Sequence, residues 1–296
     1  MAISRHSKAA AGFLLPFCLM FVAFFIVPIG YAIYQSMLRV ERTGALGLGG
    51  EREVFAGLDN YGVALSDADF IDSLLRVLLF AVVQVPVMIG LATALAMLLD
   101  AASARGVPFF RTAYFLPYGV PGVIASILWG FLYVPGVSPI VAGLGDLGLR
   151  VDFLGADTVL WSIVNIVTWE FVGYNMLIIV AQLKSINTDL YEAARVDGAS
   201  GWRIVRHVKL PLVRPAIVLT AVFTIIGTLQ LFAEPLVLRP ISTAISSHYT
   251  PNLAAYNEAF TNNNYSLAAA EAVLLALAAF VLSFGFLRIV GRSGMK

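Results

Sequence analysis

Charge is what this chain has least of: 12% of its 296 residues are Asp, Glu, Lys or Arg, against 59% hydrophobic. A typical soluble domain is roughly half apolar and roughly a quarter charged. A soluble fold of this length would leave large apolar patches in water, so lipid is its natural solvent. Cysteine is nearly absent. The single one, Cys18, excludes a disulfide framework and a cysteine metal site. The three histidines, His6, His207 and His248, are scattered and lie outside the apolar runs, the pattern of surface or capping residues. Lysine is also scarce. A phosphate-cradling loop needs Gly-Lys followed by Ser or Thr, whereas Lys8, Lys184, Lys209 and Lys296 follow Ser, Leu, Val and Met. The chain is expected to hydrolyse no nucleotide itself and to carry no cofactor or metal. Its net charge of +1 is not gathered into a basic stripe, so nucleic acid is not an expected partner.

What is abundant is long apolar sequence. Arg5 and Lys8 precede an uncharged stretch from Ala9 to Leu38. A signal-peptide core is roughly 7–15 residues and ends at a small-x-small cleavage site. Here Tyr31, Tyr34, Gln35 and Arg39 stand at its end, so the stretch is read as a retained span. A membrane helix takes about 20 apolar residues, and charge-poor runs occur at 12–37, 75–99, 112–134, 158–182, 214–236 and 267–287. In the last run Glu271 is expected near a membrane surface. No period-2 alternation suggests a β-barrel. The expected fold is an all-α, six-span integral membrane protein forming a single domain over 1–296, with no internal repeat.

The basic residues orient it. Segments 1–11, 100–111, 183–214 and 288–296 hold 13 of the 19 Lys and Arg but only 4 of the 18 acids. Both termini are expected in the cytoplasm. The opposite loops, near 38–74, 135–157 and 237–266, carry turn punctuation: Gly47, Gly49 and Gly50; Pro135, Gly136 and Pro139; Asn262 to Asn264.

The most informative segment is 183–214. Asn187 or Thr188 can cap a short helix, with Asp189 and Glu192 favoured in its first turns by the helix dipole. Gly198 can supply a left-handed terminus. Ser200 can cap a second helix carrying Trp202, Ile204, Val205 and Val208, which Leu210-Pro211 is expected to break. Physically, such a knob fits either the cleft of another protein or the anionic headgroups of lipid, which Arg203, Arg206 and Lys209 would meet.

This segment resembles the signature of permease subunits of ATP-binding-cassette (ABC) importers. Glu192-Ala193-Ala194, Gly198 and Leu210-Pro211 stand at the family's spacing, and Val208 replaces its usual Ile. Arg111-Thr112-Ala113-Tyr114-Phe115-Leu116-Pro117, Trp129-Gly130-Phe131-Leu132-Tyr133 and Gly173-Tyr174-Asn175-Met176-Leu177 resemble its sugar-importing, maltose- and oligosaccharide-type branch. The likeness covers roughly residues 10–290. It implies a type I permease bundle whose 183–214 loop is a coupling helix seated in an ATPase subunit. Glu192 would ion-pair there, Gly198 would make the turn, and Ala193, Ala194 and Ala199 would pack closely, with Asp197, Leu210 and Pro211 completing the motif. The implied partners are a second permease, two ATPase subunits that bind the ATP and Mg, an extracytoplasmic solute-binding protein, membrane lipid and a sugar. The resemblance also implies the inner membrane of a bacterial or archaeal cell. The extra N-terminal spans and large external domain found in some members of the family are not expected here.

Polar residues inside apolar spans usually face water or the bundle interior. Glu170, Tyr174 and Asn175, near Asn165 and Trp169, form one set. Thr224, Thr228, Gln230 and Glu234 form another. They offer the hydrogen bonds and aromatic faces that sugars use, though Asn165, Thr224 and Thr228 could equally bond only local backbone. Trp129 and Tyr133 are expected as interfacial anchors. The function expected is uptake of a di- or oligosaccharide, with a glycerol-phosphate-like polyol as alternative. A phosphate would call for clustered intramembrane cations, and none is present. An ion-coupled carrier would show inverted repeats, broken helices and charged pairs. An intramembrane enzyme would need a nucleophile beside a base, and Ser126, Ser162 and Ser283 have none near them in sequence.

Overall fold

The computed structural model describes residues 2–42, 51–101 and 103–292. Its long elements are α1 (Ala2–Phe21), α2 (Val27–Ser36), α4 (Ala68–Leu99), α8 (Val159–Lys184), α11 (Leu210–Leu229) and α14 (Tyr265–Arg292). Between them lie α3 (Asp59–Ser66), α5 (Val107–Phe115), α6 (Gly122–Tyr133), α7 (Pro139–Asp146), α9 (Asp189–Val196), α10 (Gly201–Ile204), α12 (Ala233–Leu238) and α13 (Pro251–Phe260). Among the described residues, five helices are long and apolar enough to cross a membrane: Gly12–Ser36, Ala68–Leu99, Val159–Lys184, Gly201–Ile241 and Tyr265–Val290. A bent pair, Val107–Gly119 with Gly122–Tyr133, gives a sixth candidate when its two halves are counted as one broken span. The six expected runs all fall on these helices.

The third run is not the single rod expected over 112–134. Its two halves meet at 99°. A 3-10 turn, Leu116–Gly119, carries Pro117, and Val120 is extended before Pro121. Each proline removes a helical N–H donor, and the second forces its predecessor out of the α region. Two prolines four residues apart therefore bend the chain rather than kink it.

Leu210-Pro211 departs from expectation in the opposite sense. The helix begun at Gly201 does not break there, because a π-turn, Val205–Lys209, leads directly into α11 with Leu210 N donating to Val205 O. The wider turn places Pro211 in a first helical turn, where its missing donor costs little. The same device occurs at Val22–Ile26, just ahead of Pro28. The fifth run is interrupted instead at its far end, where α11 stops at Leu229 and Phe232, at φ −147°, starts α12.

The loops hold more structure than their punctuation suggested. Leu38–Arg42 (β1) and Glu51–Phe55 (β2) pair antiparallel, Leu38 opposite Phe55, adding a small hairpin to the helical fold. Gly47, Gly49 and Gly50 lie outside the described residues. Pro139 opens α7, capped by Ser138, rather than ending a turn. Asn263 lies where a turn is expected and adopts a left-handed conformation there, at φ 53°.

The described residues group into two compact units. One draws on Met1–Ile71 and Ala254–Leu277. Within it Asn60 Nδ2 donates to the Ser36 and Leu38 carbonyls at 2.8 and 2.7 Å, and Ser36 Oγ meets the Tyr61 hydroxyl at 2.6 Å. Glu271 sits in the second turn of α14 and is buried. The other unit draws on Asp72–Leu253 and Ala278–Lys296. Its apolar core joins Ala92, Ala96 and Leu99 of α4, Met176, Ile179, Val180 and Leu183 of α8, and Val213 of α11. Buried Gln84 bonds Thr168 Oγ1 at 3.2 Å across α4 and α8. Small residues let these helices approach. At Gly173 a Cβ would fall 1.8 Å from the Tyr114 carbonyl oxygen of α5.

Candidate functional site

The interruption after Leu229, the start of α6 and the middle of α8 enclose a cavity of about 550 Å³. Glu170, Tyr174, Asn175, Gln230 and Glu234 all line it. Non-helical backbone at membrane depth is tolerated only where it is buried in protein or lines a cavity, and residues 230–232 meet that condition. The two acids are buried, and Glu170 Oε2 has no hydrogen-bond partner. Gly122, at the start of α6, borders the Glu170 carboxyl group: a Cβ there would touch Oε1 at an ordinary contact distance of 3.6 Å. Tyr174 stacks on Tyr118, with centroids 4.6 Å apart and planes at 15°.

The lining carries two carboxylates, a primary amide from Gln230 and aromatic faces, but no Lys, Arg or His. Such a wall accepts hydrogen bonds from hydroxyl groups and stacks on apolar faces. It repels anions. Thr224 and Thr228 also line the cavity, yet their hydroxyls donate to Thr220 O and Thr224 O one turn back. Asn175 Nδ2 likewise donates to Phe171 O, leaving its amide oxygen for other use.

Sequence reasoning missed Tyr118, Gly122 and the backbone of 230–232. The signal for the first two was Leu116-Pro117 followed by Pro121-Gly122, which places an open turn inside an apolar run. The expected Glu170 group divides. Asn165 does not reach the cavity; its Nδ2 donates to the Tyr133 hydroxyl at 2.9 Å. Trp169 meets Trp129 edge to face at 5.9 Å. Tyr133 is buried and donates to Ser162 O at 3.1 Å, so it is a packing residue within this unit rather than a boundary anchor. Trp129 lies 5.6 Å from Tyr133, beside a second cavity of about 380 Å³. The bend before α6 carries both aromatics against α8.

The knob is built at residues 185–209, at the opposite end of α8 from Val159. Asn187, rather than Thr188, caps α9: its Oδ1 accepts from Asp189 N at 3.0 Å. Gly198, at φ 77°, ends it in a Schellman closure, with Ala199 N on Ala194 O at 2.9 Å and Gly198 N on Arg195 O at 3.0 Å. Ser200 Oγ accepts from Arg203 N and starts α10. Glu192, Ala193, Asp197 and Gly198 are exposed, as are Val196 and Trp202. Ala194, Ala199 and Leu210 are half-buried, and Pro211 is exposed. A solvent-facing Val and Trp beside two acids form a surface shaped for contact with something else.

Tyr191 faces inward. Its ring lies 5.2 Å beneath Lys209 Nζ, while its hydroxyl is buried without a partner. Burial, and then the Asp100 charge, push the Tyr191 pKa up. Tyr191→Phe keeps the ring and deletes an unsatisfied hydroxyl. It is expected to leave the melting temperature of the purified protein unchanged or raise it, by up to about 1 kcal/mol of stability, whereas Tyr191→Ala lowers it.

The family described as binding-protein-dependent transport system inner membrane component matches residues 62–293. The sn-glycerol-3-phosphate transport system permease protein UgpA of Agrobacterium fabrum is 32% identical over 278 residues, 91% of this chain and 92% of that protein. The lactose transport system permease protein LacF of Rhizobium radiobacter is 32% identical, over 86% of each chain. In the crystal structure of a bacterial ABC transporter involved in the import of the acidic polysaccharide alginate, one chain superposes with a TM-score of 0.82. That match covers 97% of this chain and 96% of the other at 21% identity, which shows a shared fold.

Proposed function

This chain belongs to the family of binding-protein-dependent transport system inner membrane components, a multi-pass membrane family, and from that premise we propose that it forms half of the translocation path for a neutral di- or oligosaccharide. The observation that carries the reading is the cavity: Glu170, Tyr174, Asn175, Gln230 and Glu234 all line it, and no cation joins them. Hydroxyl-rich solutes suit such a wall. A phosphate dianion would meet two carboxylates with no compensating charge, which weighs against the glycerol-phosphate alternative although UgpA carries that substrate in its name. Helix breaks are also a mark of ion-coupled carriers, but the family match and the knob favour a nucleotide-driven machine.

In this reading the chain pairs with a second, homologous permease. Two ATPase subunits hold ATP and Mg in the cytoplasm, and a solute-binding protein delivers the sugar from outside. The excess of basic residues puts both termini and the knob on the cytoplasmic side. Glu192, with Asp197, engages a basic group of an ATPase subunit. Ala193, Ala194, Gly198 and Ala199 let the surfaces close, and Leu210-Pro211 joins the knob to α11. Closure of the ATPase pair rocks the two permeases about the cavity.

Glu170→Gln tests the site. Losing one charge-assisted hydrogen bond removes roughly 1.5 kcal/mol, so maximal uptake is expected to fall about tenfold. The half-saturating concentration, set by the binding protein, stays unchanged. Competition between neutral disaccharides and glycerol phosphate in the same vesicles tests the substrate class. Unaltered uptake by Glu170→Gln, or preference for the phosphate, would overturn it.

A further inference from the structure

Beneath the knob lies a charged cluster that the translocation cavity does not use. Asp100 follows the last turn of α4, with its side chain 8% exposed. Lys209, from the π-turn between α10 and α11, reaches it with Nζ 2.7 Å from Oδ2 and 3.2 Å from the Asp100 carbonyl oxygen. The Lys209 side chain is 11% exposed. Lys184, at the end of α8, approaches from the solvent side, with Nζ 2.9 Å from Oδ1. The Tyr191 ring of α9 closes the far side of Lys209. Burial alone would raise the Asp100 pKa, but the hydrogen bonds from Lys209 and Lys184 outweigh it and hold the carboxyl below its ordinary range. One carboxylate thus joins α4, α8, the π-turn and the knob, directly beside the apolar core that holds Ala96, Leu99 and Leu183.

We propose that Asp100 and Lys209 are positioning residues that clamp the knob to the ends of α4 and α8, so that force on the knob tilts these helices instead of sliding the knob across them. The inference rests on the reading of the chain as an ATPase-driven permease. The physics follows from stiffness. The knob touches its base through a few side chains, and a buried ion pair with a second hydrogen bond resists sliding far more than exposed contacts do. Without the clamp the ATPase subunits would still dock and turn over, and their stroke would be lost locally.

The test uses the whole importer in vesicles and measures solute moved per ATP hydrolysed. Asp100→Asn and Lys209→Met should each cut that ratio at least tenfold while basal ATP hydrolysis stays within about twofold. The charge-swapped pair, Asp100→Lys with Lys209→Asp, should recover at least a third of the wild-type ratio. A merely structural role would lower uptake and hydrolysis together, in step with the amount of assembled complex. A wild-type ratio in either single variant overturns the clamp, as does a swapped pair no better than the single variants. Should the single variants fail to accumulate, the swapped pair decides alone: recovery of assembly and ratio supports the clamp, and failure overturns it. Wild-type vesicles that transport without ATP would overturn the underlying reading instead.

Discussion

Replacing Gly173 by alanine is expected to abolish uptake and lower the melting temperature of the assembled protein by several degrees. The added Cβ would stand 1.8 Å from the Tyr114 carbonyl oxygen, 2.4 Å from its carbon and 2.9 Å from Phe115 Cα. These are backbone atoms, so no side-chain rotation relieves the clash, and α5 must move away from α8. Overpacking of this kind costs about 1–3 kcal/mol or more. The functional loss should exceed the stability loss. The α5 chain leads straight into the turn that carries Tyr118, and Tyr118 stacks on Tyr174, the residue after Gly173. Displacing α5 therefore opens the aromatic wall of the cavity. Gly143→Ala is the control, since nothing lies within 4 Å of a Cβ there. Thermal unfolding and uptake measured on both variants check the argument. Near-native uptake by Gly173→Ala would show that the observed approach of the two helices is not needed.

At the knob the expected pattern reverses, with function lost while the fold persists. Glu192 is exposed, so Glu192→Lys breaks no internal contact and should leave membrane content unchanged. Uptake should fall by two orders of magnitude or more if, as proposed, Glu192 meets a basic group of an ATPase subunit, because like charges would then face each other. Gly198→Asp acts differently. Its φ of 77° suits glycine, and an Asp there costs on the order of 1 kcal/mol, too little to unfold the chain. The new carboxylate stands on the exposed face proposed for docking. Hydrolysis by the ATPase subunits should continue without stimulation by solute. Wild-type uptake in both variants would remove the knob from the mechanism.

Why some of this was legible in the sequence and some was not follows from the range of the forces involved. Membrane spans are legible because the cost of exposing apolar side chains adds residue by residue, and six runs needed no knowledge of packing. The knob was legible because its caps are local. Asn187 bonds two residues ahead, Gly198 needs only its own φ, and Ser200 reaches Arg203. Polar residues within apolar runs pointed to the cavity for the same additive reason.

Tertiary choices were not legible. Pro117 and Pro121 announced a disturbance, but the 99° bend also leaves α5 packed on α8 and α6 on α12, contacts distant in sequence. Leu210-Pro211 read as a helix stop because proline is costly in an α-helix, yet the π-turn Val205–Lys209 absorbs that cost two residues earlier. Tyr133 was expected at a boundary on composition grounds, and its bonds to Ser162 and Asn165 hold it in the interior instead. The Asp100–Lys209 pair spans 109 positions, and no local pattern foretells it.

The central claim is that the chain moves solute only when another protein's ATP hydrolysis pushes on its knob. Vesicles should be prepared with the paired permeases and binding protein, with and without the ATPase subunits, and accumulated solute measured. The account predicts uptake only when both the ATPase subunits and ATP are present. Accumulation by vesicles lacking the ATPase subunits would contradict it.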